Sequence, residues 1–157
     1  MVTLIELTAI LSAVAGISAT IFILLQLRHM DKHRDLEISI KLFEWAETER
    51  LHKAFRWVET EFQFEDFDKY KAEVEKNFEV SDYPYQVEAY FEEVGFLINK
   101  NFVDIDVIVD RLGAYILSNW KKLEPWILSV RKERSDKTFG EHFEKLYQKT
   151  IKYMRKD

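Results

Sequence analysis

Leu7–Leu27 (LTAILSAVAGISATIFILLQL) is 21 residues without a charge, and no other feature constrains this chain as strongly. The hydrocarbon core of a bilayer is roughly 30 Å thick and a helix rises roughly 1.5 Å per residue, so roughly 20 apolar residues cross it. Lipid offers no partners for backbone N–H and C=O groups, which makes such a stretch a helix. A cleaved signal peptide needs a basic start, a shorter apolar core and small residues at a cleavage site. Residues 1–6 (MVTLIE) carry no Lys or Arg. The run therefore reads as a retained membrane anchor over 7–27, with 1–6 outside and a single domain, 28–157, behind it.

The flanks give the anchor a direction. Only Glu6 is charged before it, whereas Arg28, Lys32, Arg34 and Lys41 follow it. Lys and Arg collect on the cytoplasmic side, so the C-terminal domain is expected in the cytoplasm and the N-terminus outside. The absence of cysteine agrees with a reducing compartment.

The anchor also has two unlike faces. Thr8, Ser12, Gly16 and Thr20 recur every four residues, with Ala9 and Ala13 beside them, while Ile10, Leu11, Ile17, Ile21, Leu24 and Leu25 are bulky. Small residues at that spacing let helices approach closely and let hydroxyls bond across. The stripe reads either as a seam for self-association or for another membrane protein, or as the ordinary abundance of small residues in membrane helices.

Beyond the anchor, 27 acids stand against 23 bases, a formal charge of −4. A nucleic-acid partner calls for a basic face, so none is expected. The chain has only 4 Gly and 2 Pro, which favours helices over turn-rich sheets. The expected fold is all-α: one N-terminal transmembrane helix followed by a cytoplasmic bundle of about four to five helices.

The periodicity predicts a helix from Arg28 to about Gln63, with Leu36, Ile40, Phe43, Leu51, Ala54, Phe55, Val58 and Phe62 on its inner face. A break is expected near Ala46–Thr48, with Thr48 as a cap. A short helix follows over about Asp66–Phe78. Asp82 and Pro84 open another, Pro84–Asn99, with Val87, Tyr90, Phe91, Val94, Leu97 and Ile98 turned inward. Gly95 inside it marks close packing of another helix. Asp104 opens the next helix, which Pro125 is expected to kink or end. Lys132–Lys137 reads as a loop, and Thr138 with Glu141 as a capping box for the last helix. That helix turns Phe139, Phe143, Leu146, Tyr147, Ile151 and Met154 inward and ends in Lys152, Arg155 and Lys156.

Few residues suggest chemistry. His29 and His33 stand at i, i+4 and share a helix face, but a tetrahedral metal site needs three or four ligands. Glu92 and Glu93 lie between the apolar Phe91 and Val94. One of them is expected to be partly buried and paired with Arg111 or Arg131, as a salt bridge or, in the functional reading, as a general acid or base. Glu65, Asp66 and Asp68 lack the spacing and glycine of a calcium loop and read as a solvated helix start. His52 and His142 read as isolated surface residues. No phosphate loop, nucleophile elbow or zinc-protease motif occurs, so neither catalytic residues nor a cofactor or metal is assigned.

The stretch Tyr90–Arg131 resembles an uncharacterised prokaryotic family known only as a domain of unknown function. The resemblance lies in Phe91-Glu92-Glu93-Val94-Gly95 followed by a helix bearing Trp120 and Pro125, with LFEWAETERLHKAFRWV before it. It implies one N-terminal membrane helix and a compact helical domain, and a loose link to stress or phage defence. Together these readings predict a membrane-anchored interaction or regulatory module, not an enzyme, whose partners are the bilayer and a protein or second copy. Two alternatives remain: an accessory subunit of a membrane complex, or a tethered effector with an acidic site at Glu92/Glu93.

Overall fold

The long uncharged run and the polar segment after it contain no proline, and they form one helix. A computed structural model describes residues 3–76 and 80–155. Six helices occur among them: α1 (Leu4–Ala46), α2 (Glu49–Thr60), α3 (Phe67–Lys76), α4 (Tyr83–Asn99), α5 (Ile105–Arg134) and α6 (Glu141–Met154). No strand occurs among the described residues. The chain divides into two compact units, residues 1–37 and 38–157.

The first unit is the greater part of α1. It holds a stretch long and apolar enough to cross a membrane, and none of that stretch is buried. Thr8 and Thr20 donate their hydroxyls to the carbonyls of Ile5 and Gly16, at 2.9 Å each. Each hydroxyl is thereby satisfied by the helix's own backbone.

The second unit comprises the last turns of α1 and helices α2–α6. The predicted break falls where expected, between Ala46 and Glu49. Thr48 occupies the cap position without capping; its hydroxyl turns back to the Trp45 carbonyl at 2.8 Å. The inner face predicted for the end of α1 holds at Phe43, which packs against the core, but not at Leu36 and Ile40. Leu36 and Ile40 are exposed, whereas Ser39 and Leu42 are buried and Ile38 packs beside them. Two apolar stripes run along this segment, and docking selects the one that carries Leu42.

Helix α4 lies at the centre of the unit. Its faces follow the sequence pattern: Val87, Tyr90, Phe91, Val94 and Ile98 are buried, with Leu97 at the margin. Asp82 and Pro84 open it as predicted, although Asp82 makes no side-chain cap and instead pairs with Arg50 at 3.6 Å. Asp66 does cap α3, accepting the Lys69 N–H at 2.8 Å. The predicted end of α3 at Phe78 lies outside the described residues, as does Lys156.

Helix α5 corrects one expectation. Of the two outcomes expected at Pro125, a kink or an end, it does not end there; it runs on to Arg134, past the start of the loop expected at Lys132. Lys121, Glu124 and Pro125 are exposed, and on that outer face water can serve the carbonyl that loses its donor. Ser135 then closes the helix in the left-handed region, at φ 53°. Aromatic rings fill the space between α4, α5 and α6. Phe143 stacks on Phe91 at 4.7 Å and meets the edge of Trp120 at 5.0 Å. Fully burying a ring of this size stabilises by about 2–3 kcal/mol.

Candidate functional site

Where the end of α1, α2, α4 and α5 meet, a cavity of about 460 Å³ opens. Its floor is Tyr90 and Phe91, both wholly buried. Tyr90 is fixed by donating its hydroxyl to the Leu42 carbonyl at 3.2 Å, and burial raises its pKa above the ordinary phenol value. Phe55 meets both floor rings edge-on, each at 5.6 Å. Phe43, Leu112 and Tyr115 complete the apolar wall. The rim is charged. His52, Arg56 and Glu59 line it from α2, Glu47 from the turn between α1 and α2, and Arg111 from α5. The Arg111 guanidinium lies over the Phe43 ring at 4.5 Å and reaches Glu47 at 3.1 Å.

Nothing in the sequence pattern by itself marks this place: His52 reads there as an isolated surface residue and Arg111 only as a partner for Glu92 or Glu93. The available signal was the series His52–Phe55–Arg56–Glu59, polar residues flanking an aromatic one turn apart. It became meaningful only once α5 supplied the opposite wall.

The acids at the centre of the family pattern have other tasks. Glu92 accepts the Phe143 N–H at 2.8 Å, in the first turn of α6. Glu93 is exposed. Neither is paired with an arginine: Arg111 holds Glu47, and Arg131 holds Glu144 at 2.9 Å and the Phe139 carbonyl at 2.7 Å. The buried acid is Glu88, one turn earlier on α4 and 5% exposed. Burial pushes its pKa up to about 8, and the charge of Glu92 adds to this; Arg134, the Gly140 N–H and Arg131 act against it.

Glu88 and Glu92 thus serve the start of α6 from another helix, which overturns the expected capping box. Helix α6 begins at Glu141, preceded by Gly140 in the left-handed region at φ +69°. Thr138 makes no cap there and donates its hydroxyl to Asp136 at 2.7 Å. A side chain at Gly140 would be strained by that backbone and would lie 3.1 Å from Ile127.

Gly95 fulfils its prediction. A Cβ there would lie 2.2 Å from the His142 carbonyl, so α6 crosses α4 backbone to backbone. His142 is correspondingly half-buried, with Asn99 at 3.1 Å from its Nδ1, and is no isolated surface residue. Trp120 is buried in the core and Pro125 faces out.

The profile of a family described as a domain of unknown function, DUF4760, matches residues 10–150. The chain belongs to the DUF4760 family. The DUF4760 match starts in the apolar part of α1 and ends at Thr150 in α6, so it takes in residues of both units. Comparison with curated proteins and with solved structures returned no match.

The remaining residues singled out from sequence are not gathered at the cavity. Thr8, Ser12, Gly16 and Thr20 are all exposed, and nothing lies within 4 Å of a Cβ at Gly16. His29 and His33 touch, with 3.1 Å between their Nε2 atoms, but no group of three or more His, Cys, Asp or Glu that could hold a metal occurs among the described residues. Glu65 pairs with Lys69 and Asp66 caps α3, as a helix start requires.

Proposed function

We propose that this DUF4760 protein is a single-span, membrane-anchored interaction or regulatory module that works by binding rather than by catalysis. The reading is carried by the apolar part of α1, which is long enough to cross a bilayer and wholly unburied within its own chain. Apolar surface of that extent requires a covering from elsewhere, and lipid is the covering that matches its length. Arg28, Lys32 and Arg34 against Glu6 support an outside N-terminus and a cytoplasmic domain. The prokaryotic assignment and the loose link to stress or phage defence rest on the resemblance around Phe91–Gly95 and Trp120.

The open surroundings of Gly16, together with the Thr8–Ser12–Thr20 stripe, favour self-association through α1. An accessory subunit of a larger membrane complex is the second reading, supported by the same stripe. An acidic catalytic site at Glu92/Glu93 has little to support it, since Glu92 is bound to the α6 backbone and Glu93 lies in solvent.

The test is alkaline extraction of membranes holding the full chain, followed by crosslinking in mild detergent. Retention in the membrane pellet and a crosslinked dimer abolished by Gly16→Leu are expected. Release into the supernatant would sink the anchor. A stoichiometric multi-span partner, with no homodimer, would replace self-association by the accessory role.

A further inference from the structure

The cavity between α1, α2, α4 and α5 carries an assignment that is independent of the anchor. We propose that it binds a small planar organic anion, a ring system bearing a carboxylate or phosphate. The ring lies against Phe43 and Phe55, and the anionic end meets Arg56 and Arg111.

Size and shape come first. At about 460 Å³, the cavity has the volume of small-molecule sites, which are mostly apolar with a few placed polar groups. Its walls are also formed in advance. Phe55 is held edge-on to Tyr90 and Phe91, and Tyr90 is tied to the end of α1 by its hydroxyl. A flat ring entering such a lining repeats the contacts these rings already make with one another.

Charge selects the other end of the ligand. No carboxylate among the described residues pairs with the Arg56 guanidinium, although it lines the cavity. A free guanidinium fork matches a carboxylate or phosphate through two parallel hydrogen bonds. Arg111 spends one N–H on Glu47 and has further donors on the same fork. Its plane is fixed by the Phe43 ring beneath it. A cationic ligand would instead compete with Arg111 for Glu47. Two rim acids disfavour an anion: Glu47, whose charge is paired with Arg111, and Glu59, one turn beyond Arg56 on α2.

The experiment uses the full chain in lipid nanodiscs, titrated calorimetrically with 2-naphthoate, 2-naphthamide and 2-naphthylmethylamine, with empty nanodiscs as the blank. Saturable binding of the acid is expected, about tenfold tighter than either the amide or the amine, as a charge-assisted fork contact implies. Arg56→Gln should remove that advantage, and Leu112→Trp, which fills the cavity, should remove binding of the ring itself. Arg50→Gln, on the same helix but outside the cavity, should change nothing. Equal or tighter binding of the amine, an unchanged acid affinity in Arg56→Gln, or no saturable heat with the acid would overturn the proposal. Arg56 is exposed, so its variant remains informative if Leu112→Trp fails to fold. Release of the protein from membranes at alkaline pH would remove the anchor and leave this site standing.

Discussion

Gly16 and Gly95 both sit in apolar helices, and they mark two ways in which one chain treats hydrophobic surface. Around Gly16 there is open space, and the neighbouring Ile17 is 63% exposed. Around Gly95 another backbone is already in contact, and Ile108, Ile116 and Ile127 are wholly buried. In residues 38–157 the chain is its own solvent: apolar side chains are consumed by apolar side chains. In the first unit the apolar residues lie exposed. A glycine can therefore be a packing requirement in one unit and stand in open space in the other.

That contrast can be broken by substitution. Gly95→Leu should have the largest effect, because α6 has no room to retreat without giving up Phe143. A loss of more than about 4 kcal/mol, or no folded domain at all, is expected from circular dichroism of the full chain in detergent. Phe143→Ala comes next, at about 3–5 kcal/mol, since it empties the site between Phe91 and Trp120. If Ile21→Ala in the first unit cost the same, the two units would not differ as described.

The pH dependence of stability sharpens the comparison within the domain. Glu88 is pushed from its ordinary 4.5 to about 8. Between those values the folded state holds a proton that the unfolded chain releases, so stability falls as pH rises. Its contribution is fully present below pH 4.5 and lost as pH passes through 8. The change is on the order of a few kcal/mol across that window. Glu88→Gln keeps the acceptor for the Gly140 N–H and should flatten the slope; an unchanged slope would show that Glu88 is not its source. Smallest of all, Gly16→Leu should leave the domain's unfolding midpoint where it was, whatever it does to the dimer.

Helix α4 was legible in the sequence because everything that defines it is local. Pro84 sets its start, its inward residues keep one period, and Gly95 announces a crossing. Residues 43–62 were legible both as helix and as a face, since Leu51, Ala54, Val58 and Phe62 are buried as their spacing implies. The face failed only over 36–40, where Leu36–Ile40 and Ile38–Leu42 are equally periodic and only the docked partner distinguishes them. Pro125 left two outcomes open, a kink or an end, because proline's cost depends on whether its orphaned carbonyl meets protein or water. The start of α6 was invisible, since Thr138 and Glu141 imitate a local cap while the acceptors that act come from residues some fifty positions earlier. The cavity was invisible for the same reason: its two arginines belong to helices far apart in sequence.

The borrowed cap has a consequence in time rather than in space. Residues 141–154 carry no functioning start signal of their own, so as an isolated peptide they should be poorly helical. Glu88 and Glu92 supply that signal only after α4 has formed. Helix α6 should therefore be a late and conditional element of folding, nucleated by docking rather than docking once formed. Substitutions at Glu92 should accordingly slow folding less than they speed unfolding.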